Sequence, residues 1–62
     1  MMYALEHEAL PGKMWRVSLI IENSQRCRPL WTQVAKEGDM LAVPDEYVTA
    51  FNNVGYEYEV GL

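Results

Sequence analysis

The segment Met14–Glu22 constrains the fold most, because its side chains alternate between a wholly apolar face and a mixed face. The apolar face carries aromatic and branched side chains: Trp15, Val17, Leu19 and Ile21. The mixed face carries Met14, Arg16, Ser18 and Ile20. Successive side chains of a β-strand point to opposite sides, so the pattern predicts a strand that turns its apolar face to the core.

Two further strands are predicted after this segment. Residues 23–29 are polar and close with proline, which is typical of a hairpin loop. Residues 30–35 alternate, with Leu30, Thr32 and Val34 on one face and Trp31, Gln33 and Ala35 on the other. The Lys-Glu-Gly-Asp sequence of residues 36–39 is typical of a tight turn, because glycine accepts positive φ. A short third strand is predicted over residues 40–43.

A helix is predicted over residues 44–53. The Pro-Asp-Glu sequence of residues 44–46 is the expected helix N-terminus, because proline lacks an amide hydrogen that is not needed there and the acids complement the helix dipole. Tyr47 and Phe51 are four residues apart and place an apolar stripe on one side of the helix. The two asparagines of residues 52–53 can end it in a left-handed cap.

A final strand is predicted over residues 54–60, where the alternation is regular. One face carries Val54, Tyr56, Tyr58 and Val60. The other carries Gly55, Glu57 and Glu59. This pattern is typical of a half-buried strand with a solvated acidic face.

The first segment, residues 2–10, permits two interpretations. Its odd and even positions alternate as in a strand, whereas Leu5 and Ala9 have the i, i+4 spacing of a short helix. We therefore expect a single α+β domain over residues 1–62. Its architecture would be a small curved antiparallel β-sheet of roughly three to five strands with one short helix, in the order β-β-β-α-β after an uncertain first element.

The length of the chain limits its stability and its cysteine count indicates its compartment. A core built from 62 residues supplies roughly 3–5 kcal/mol of net stability. Cys27 is the single cysteine, so no intramolecular disulfide can form, and a lone thiol predicts a cytoplasmic location. The acidic first segment and the short apolar run of residues 19–21 predict neither a signal peptide nor a membrane span.

Charge is segregated along the chain, whose net charge is −4. Residues 13–28 contain one acid, Glu22, and the bases Lys13, Arg16, Arg26 and Arg28. Residues 37–62 contain no base and the acids Glu37, Asp39, Asp45, Glu46, Glu57 and Glu59. One interpretation is intramolecular complementarity, in which neighbouring strands carry opposite charges. The other is an acidic face that steers association with a basic partner.

The C-terminal part resembles a family of small modules common in phage and prophage proteins. Residues 37–60 contain a Gly-Asp turn, a short segment ending in Val-Pro, a helix with an apolar triplet, a Gly-Tyr break and a final alternating segment. The resemblance implies a viral or mobile-element origin and a final strand. It implies no catalytic residue.

No set of titratable side chains is predicted to converge on a reacting atom. His7 is the single histidine, and Glu6 and Glu8 would point to the opposite face of a strand. Glu57 and Glu59 would lie roughly 7 Å apart on one strand face, where we expect a solvated surface and not a hydrolase pair. We expect neither enzymatic activity nor a cofactor or metal ion.

Cys27 lies between Arg26 and Arg28, two cations that would lower its pKa and favour the thiolate. No general base is predicted beside it. We expect a loop thiol without a role, with a regulatory or intermolecular disulfide as the alternative and a catalytic cysteine as the least favoured one.

The aromatic residues suggest a binding surface as well as a core. The chain has two tryptophans, four tyrosines and one phenylalanine, and most are expected in the core. Trp31 shares a face with Gln33, so it is the better candidate for exposure. Beside the arginines of the hairpin it would form the usual composition of a protein–protein hot spot.

The leading hypothesis is a non-enzymatic protein-binding module, phage or prophage encoded, that inhibits or modulates a host protein. Its partner-binding residues would be Trp31, Arg26, Arg28 and Arg16 on the hairpin, or Asp45, Glu46, Glu57 and Glu59 on the acidic half. One alternative is a virion structural or self-assembling component that forms homo-oligomers through open sheet edges. Another is a binder of single-stranded nucleic acid through the arginines and Trp31, which the negative net charge disfavours. No membrane partner is expected.

Overall fold

The computed structural model describes residues 2–61. Three strands come first, β1 (Met2–Leu10), β2 (Met14–Glu22) and β3 (Cys27–Lys36), and one helix follows, α1 (Asp45–Asn53). The strands form one antiparallel sheet in the order β1-β2-β3. The order of elements is therefore β-β-β-α. The predicted order β-β-β-α-β is wrong, although the arrangement is that of a small α+β domain.

The first segment is a strand along its whole length. β1 pairs with β2 from Met2, opposite Glu22, to Leu10, opposite Met14, without a register shift. The helical interpretation of this segment is wrong, because β2 offers it a complete ladder of hydrogen-bonding groups. The three-residue turn closes with Gly12 at φ 75° and Lys13 at φ 58°.

The β2–β3 hairpin is confirmed, but its loop is shorter than predicted. β3 begins at Cys27 and includes Pro29, both of which were predicted to lie in the loop. The register shifts between Leu19 and Ile20, so β3 has one extra residue at this point. β3 is an edge strand, where proline is tolerated because its missing donor can face away from the ladder.

The core lies between one face of the sheet and the segment that carries the helix. The predicted apolar face of β2 is confirmed: Val17 and Leu19 are fully buried. They pack in one cluster with Ala35, Leu41, Ala50, Phe51 and Val60. We call the side of the sheet that faces this cluster the core face and the other side the outer face. Ile20 is also buried, but outside this cluster, opposite Ala4 and Pro29.

The helix is confirmed with nearly the predicted bounds. Pro44 is its N-cap residue at φ −59°, and its first turn carries two acids. Phe51 is fully buried and Tyr47 packs against the core, as the apolar stripe predicts. The left-handed residue after the helix is Gly55, at φ 77°, and not one of the asparagines. Within residues 2–61, no helix has both the length and the apolar run needed to cross a bilayer.

The two short strands predicted on either side of the helix are wrong. Residues 40–43 and 54–60 share one isolated bridge, between Met40 and Glu59. Two backbone hydrogen bonds form this bridge, from the Leu41 N–H to the Tyr58 oxygen at 2.8 Å and from the Val60 N–H to the Asp39 oxygen at 2.9 Å. A third lies beside it, from the Gly38 N–H to the Val60 oxygen at 2.9 Å. Tyr58 adopts φ 73°, which ends any extended run. The alternation of apolar and polar residues over 54–60 therefore reflects packing against the core, and these residues do not form a strand of the sheet.

Candidate functional site

A shallow cleft of about 320 Å³ lies at the end of the sheet where β2 and β3 are joined. We call it the hairpin-end cleft. Its lining residues are Ile21, Asn23, Arg26, Arg28 and Leu30. Two of these side chains are cations and two are apolar. The cleft therefore offers positive charge beside an apolar surface.

The register of the hairpin brings the cation and the apolar surface together. Ile21 lies directly opposite Arg28. Cross-strand partners share a face of the sheet, so Arg28 lies on the core face. Ile21 and Leu30 are only half-buried. The chain therefore leaves this end of the core face partly uncovered, with an arginine beside it.

The turn that closes the hairpin positions Arg26 at the rim of the cleft. The Asn23 Oδ1 atom accepts hydrogen bonds from the N–H groups of Gln25 at 3.0 Å and Arg26 at 2.9 Å. The Asn23 N–H donates to the Arg26 carbonyl oxygen at 2.9 Å. Asparagine forms turns of this kind because its short side chain reaches the amides two and three residues ahead. The turn is held by three hydrogen bonds across four residues.

The two arginines of the cleft are exposed and form no ion pair with any side chain of residues 2–61. Within residues 2–61, the ion pair that the structure shows joins Arg16 to Glu8. A guanidinium presents five N–H donors in a fixed plane, which suits a carboxylate. The guanidinium groups of Arg26 and Arg28 therefore have no carboxylate partner among these residues.

Arg16, the third arginine of the predicted hairpin surface, lies elsewhere. It is opposite Glu8 in the β1–β2 ladder and its guanidinium contacts that carboxylate. The pair lies on the outer face, next to the hydrogen bond of 3.0 Å between the hydroxyl groups of Ser18 and Thr32. Arg16 is therefore not part of the hairpin-end cleft.

Trp31 is not exposed as predicted, because the face it shares with Gln33 and Ala35 is the core face. Ala35 is buried, and Trp31 packs against the core cluster. Its ring meets the ring of Phe51 edge-on, with centroids 5.4 Å apart. Trp31 is half-buried and stabilises the core, and it does not line the cleft.

The acidic residues of the C-terminal part do not converge with the basic segment. Asp45 and Glu46 lie in the first turn of α1, while Glu57 and Glu59 line a separate cleft of about 240 Å³ with Gly55 and Tyr56. None of the four forms an ion pair within the described part of the chain. Intramolecular complementarity between the two charged regions is therefore not observed there. Glu57 and Glu59 also do not share a strand face, because no strand forms.

Tyr56 has the clearest titration shift in this acidic region. Partial burial raises the pKa of its phenol above the usual 10.0, and the nearby Glu59 carboxylate raises it further. The Tyr56 hydroxyl donates to the Glu59 carbonyl oxygen at 3.1 Å. His7 packs on the same ring, with centroids 5.2 Å apart. Tyr56 therefore links β1 to the C-terminal segment.

Cys27 differs from its prediction in place and in chemistry. It is the first residue of β3 and lies opposite Glu22. Desolvation raises the pKa of its thiol above the usual 9.0, and the carboxylates of Glu22 and Glu6 raise it further. The predicted lowering of this pKa by Arg26 and Arg28 is wrong, because desolvation and the two carboxylates raise it instead.

The sequence identified the two arginines of the cleft but not its apolar wall. The sequence feature that could have predicted the apolar lining is Asn23. It begins a four-residue turn, after which β3 can start at Cys27 and not after Pro29. Placing Arg28 in the ladder then sets it opposite Ile21.

Neither metal ligation nor similarity to other proteins adds to this site. Within residues 2–61, no group of three or more His, Cys, Asp or Glu side chains is arranged to hold a metal ion. The chain matches no protein-family model, and no curated protein and no solved structure is significantly similar to it.

Proposed function

We propose that this chain is a small protein-binding domain, and that the hairpin-end cleft contacts an acidic and apolar segment of its partner. The observation that carries the proposal is that Arg26 and Arg28 have no ion pair in residues 2–61 and stand beside the half-buried Ile21 and Leu30. Arginine next to an apolar wall is typical of the residues that dominate protein–protein affinity.

The distribution of charge supports an acidic partner segment. The chain has net charge −4, so its overall field repels acidic molecules, but the cleft concentrates two of its five basic residues. A carboxylate that reaches the cleft would meet two guanidinium groups and no competing acid among the lining residues. This arrangement fixes the position and orientation of the partner segment, and it contributes less to the long-range electrostatic attraction between the two proteins.

The partner of such a domain is a host protein if the chain comes from a phage or prophage, as its resemblance to phage modules implies. Binding would then inhibit or modulate the host protein by covering part of its surface in the cytoplasm, where a lone thiol stays reduced. The resemblance lies in residues 37–60, whereas the cleft lies in the β2–β3 hairpin. The binding proposal therefore does not depend on the viral origin.

A displayed library of random peptides, selected on the folded domain, tests the proposal. We expect the selected peptides to combine Asp or Glu with neighbouring apolar residues. In NMR titrations with a selected peptide, the largest shifts should come from the lining residues of the cleft. The double variant Arg26→Gln/Arg28→Gln should bind that peptide at least roughly tenfold more weakly, since charge-assisted hydrogen bonds are lost.

The matched control is Lys13→Gln/Lys36→Gln, which removes the same charge at the opposite end of the sheet. Its affinity for the peptide should stay within about twofold of the unaltered domain, after allowance for general electrostatics. Equal loss in both double variants would contradict the proposal. So would tighter binding of a single-stranded oligonucleotide than of any selected peptide at physiological salt.

A further inference from the structure

The two edges of the sheet differ in how well they are protected against an additional strand. β3 contains Pro29, and its register with β2 shifts next to this residue. The Gln33 Oε1 atom accepts a hydrogen bond from the Ala42 N–H at 3.1 Å, so the chain after β3 lies against this strand. Proline, bulges, charged side chains and a covering segment are among the features by which natural sheets block an edge.

β1 has neither proline nor a register shift, although it carries Glu6 and Glu8 and the C-terminal segment contacts it where Tyr56 packs on His7. Within residues 2–61, no backbone hydrogen bond joins β1 to any segment other than β2. Its outer row of N–H and C=O groups is therefore open. Two of the exposed large apolar side chains lie on this strand, Met2 with 63% and Tyr3 with 37% of its surface accessible.

We propose that the open edge of β1 pairs antiparallel with β1 of a second copy of the chain, which joins the two sheets into one sheet of six strands. The inference is independent of the hairpin-end cleft, whose lining residues belong to β2, β3 and the loop between them and include none from β1. A second copy is a suitable occupant because the core of so short a chain is small, and association stabilises a marginal fold.

Symmetry restricts how two copies of β1 can pair. A two-fold axis perpendicular to the sheet keeps the core faces of both copies on one side, so even residues oppose even residues. An axis at Glu6, His7 or Glu8 would place Glu6 opposite Glu6, Glu6 opposite Glu8, or Glu8 opposite Glu8. Like charges directly opposite each other destabilise an antiparallel pair. An axis at Leu5 avoids all three and pairs residues 2–8 of both copies.

The register centred on Leu5 also joins compatible side chains on both faces. On the core face, Leu5 meets Leu5 of the second copy and Tyr3 meets His7 of the second copy. Leu5 already packs against the core, and His7 packs on Tyr56. The stripe across the axis therefore extends the existing apolar surface. On the outer face, Ala4 meets Glu6 of the second copy, where the small alanine side chain leaves the carboxylate in solvent.

Sedimentation velocity over a concentration series, up to about 1 mM, tests the inference. The paired surface is smaller than that of a typical stable dimer, so we expect a reversible dimer with a dissociation constant in the high micromolar range. Ala4→Glu places an acid opposite Glu6 twice in the dimer, whereas Ala4→Lys places a base there twice. The first variant should weaken and the second strengthen dimerisation, each by roughly fivefold.

The controls separate edge pairing from changes in the monomer. Ala9→Glu and Ala9→Lys alter the same strand outside residues 2–8, and both should dimerise like the unaltered chain after correction for net charge. In Ala4→Glu/Glu6→Lys the two charges are opposite again, so dimerisation should recover. Thermal unfolding at low concentration checks that each variant is folded.

Three results would overturn the inference. A monomer at every concentration would leave the open edge for an extended segment of a different protein. Equal dimerisation of the Ala4→Glu and Ala4→Lys variants would show that any dimer uses another surface. Failure of Ala4→Glu/Glu6→Lys to recover would exclude the register centred on Leu5. None of these results depends on whether the hairpin-end cleft binds peptides, because the cleft residues are unchanged.

Discussion

The sheet and the segment that follows it satisfy their backbone groups in different ways. In the sheet, residues 2–36, each strand has a partner along its length, and the register runs through nine consecutive pairs between β1 and β2. In the C-terminal segment, residues 37–61, the helix forms its own backbone hydrogen bonds, and three more, which include those of the Met40–Glu59 bridge, join residues 58–60 to residues 38–41. Apolar alternation thus produces a strand only where a neighbouring edge is available.

The two regions nevertheless depend on one core. The sheet contributes Val17, Leu19 and Ala35 to it, and the C-terminal segment contributes Leu41, Ala50, Phe51 and Val60. Without the C-terminal segment, the apolar face of the three-stranded sheet would be exposed to water, which removes the main favourable contribution to folding. We therefore expect the two regions to unfold together, as one cooperative unit.

The largest effect is expected for Phe51→Ala. Phe51 is fully buried, and its ring contacts the rings of Trp31, Tyr56 and Tyr58 at centroid distances of 5.4, 5.9 and 5.8 Å. Truncation of a buried phenylalanine costs about 3–5 kcal/mol of unfolding free energy, which is similar to the whole stability expected for this chain. Circular dichroism in urea should therefore show a chain that is largely unfolded without denaturant.

Val34→Ala is the control for this prediction. Val34 is 49% exposed on the outer face of β3, and its truncation should change the unfolding free energy by less than about 0.5 kcal/mol. If Phe51→Ala kept protected amides in the sheet by hydrogen exchange, the two regions would be independent and the shared core would be refuted.

A smaller effect is expected for Tyr58→Phe. The Tyr58 hydroxyl donates a hydrogen bond of 2.8 Å to the Asn52 Oδ1 atom. This bond joins Tyr58, whose backbone is left-handed at φ 73°, to the end of α1. Loss of this partly solvated bond should lower the unfolding free energy by about 0.5–1 kcal/mol. Tyr47→Phe is the matched control, since Tyr47 packs on the core without a side-chain hydrogen bond within residues 2–61. Equal losses in both variants would contradict a role for the bond.

The smallest effect concerns Tyr56 and alkaline pH. Its pKa in the folded chain lies above 10.0, so the folded state holds the phenolic proton more tightly than the unfolded state does. The stability it contributes is present below pH 10 and is lost as pH rises from there through the folded pKa. Urea unfolding at about pH 9 and about pH 11 should show a shallower alkaline decline in Tyr56→Phe than in the unaltered chain. Identical slopes would indicate that Tyr56 does not titrate differently in the two states.

The predictions from sequence succeeded where local pattern and local chemistry agree. The β2 strand, the hairpin to β3 and the helix after Pro44 each follow from residues that are close in the chain. They failed where contacts between residues far apart in the sequence determine which way a side chain points or what surrounds it. The face of Trp31 could be assigned only once β3 had a register against β2. The pKa of Cys27 rises because of desolvation, and further because its strand places it near Glu22 and Glu6.

The hairpin-end cleft shows the same division. Arg26 and Arg28 were placed at the hairpin from sequence, because both lie in the polar segment predicted as its loop. The apolar wall of the cleft was not predicted, because Ile21 was assigned to the buried face without knowledge of how far the core extends along the sheet. Only the packed structure shows that Ile21 and Leu30 stay half-buried there.

The sequence by itself determined that this chain has a β2–β3 hairpin, a helix after Pro44 and a core of alternating apolar residues, because these depend on dihedral preferences and on short-range periodicity. The tertiary structure alone decided that residues 54–60 wrap around Phe51 without forming a strand, that Trp31 packs inward and that β1 keeps an open edge. Those outcomes depend on which backbone edges and which ring faces remain available after the sheet has formed, and periodicity along the chain does not carry that information.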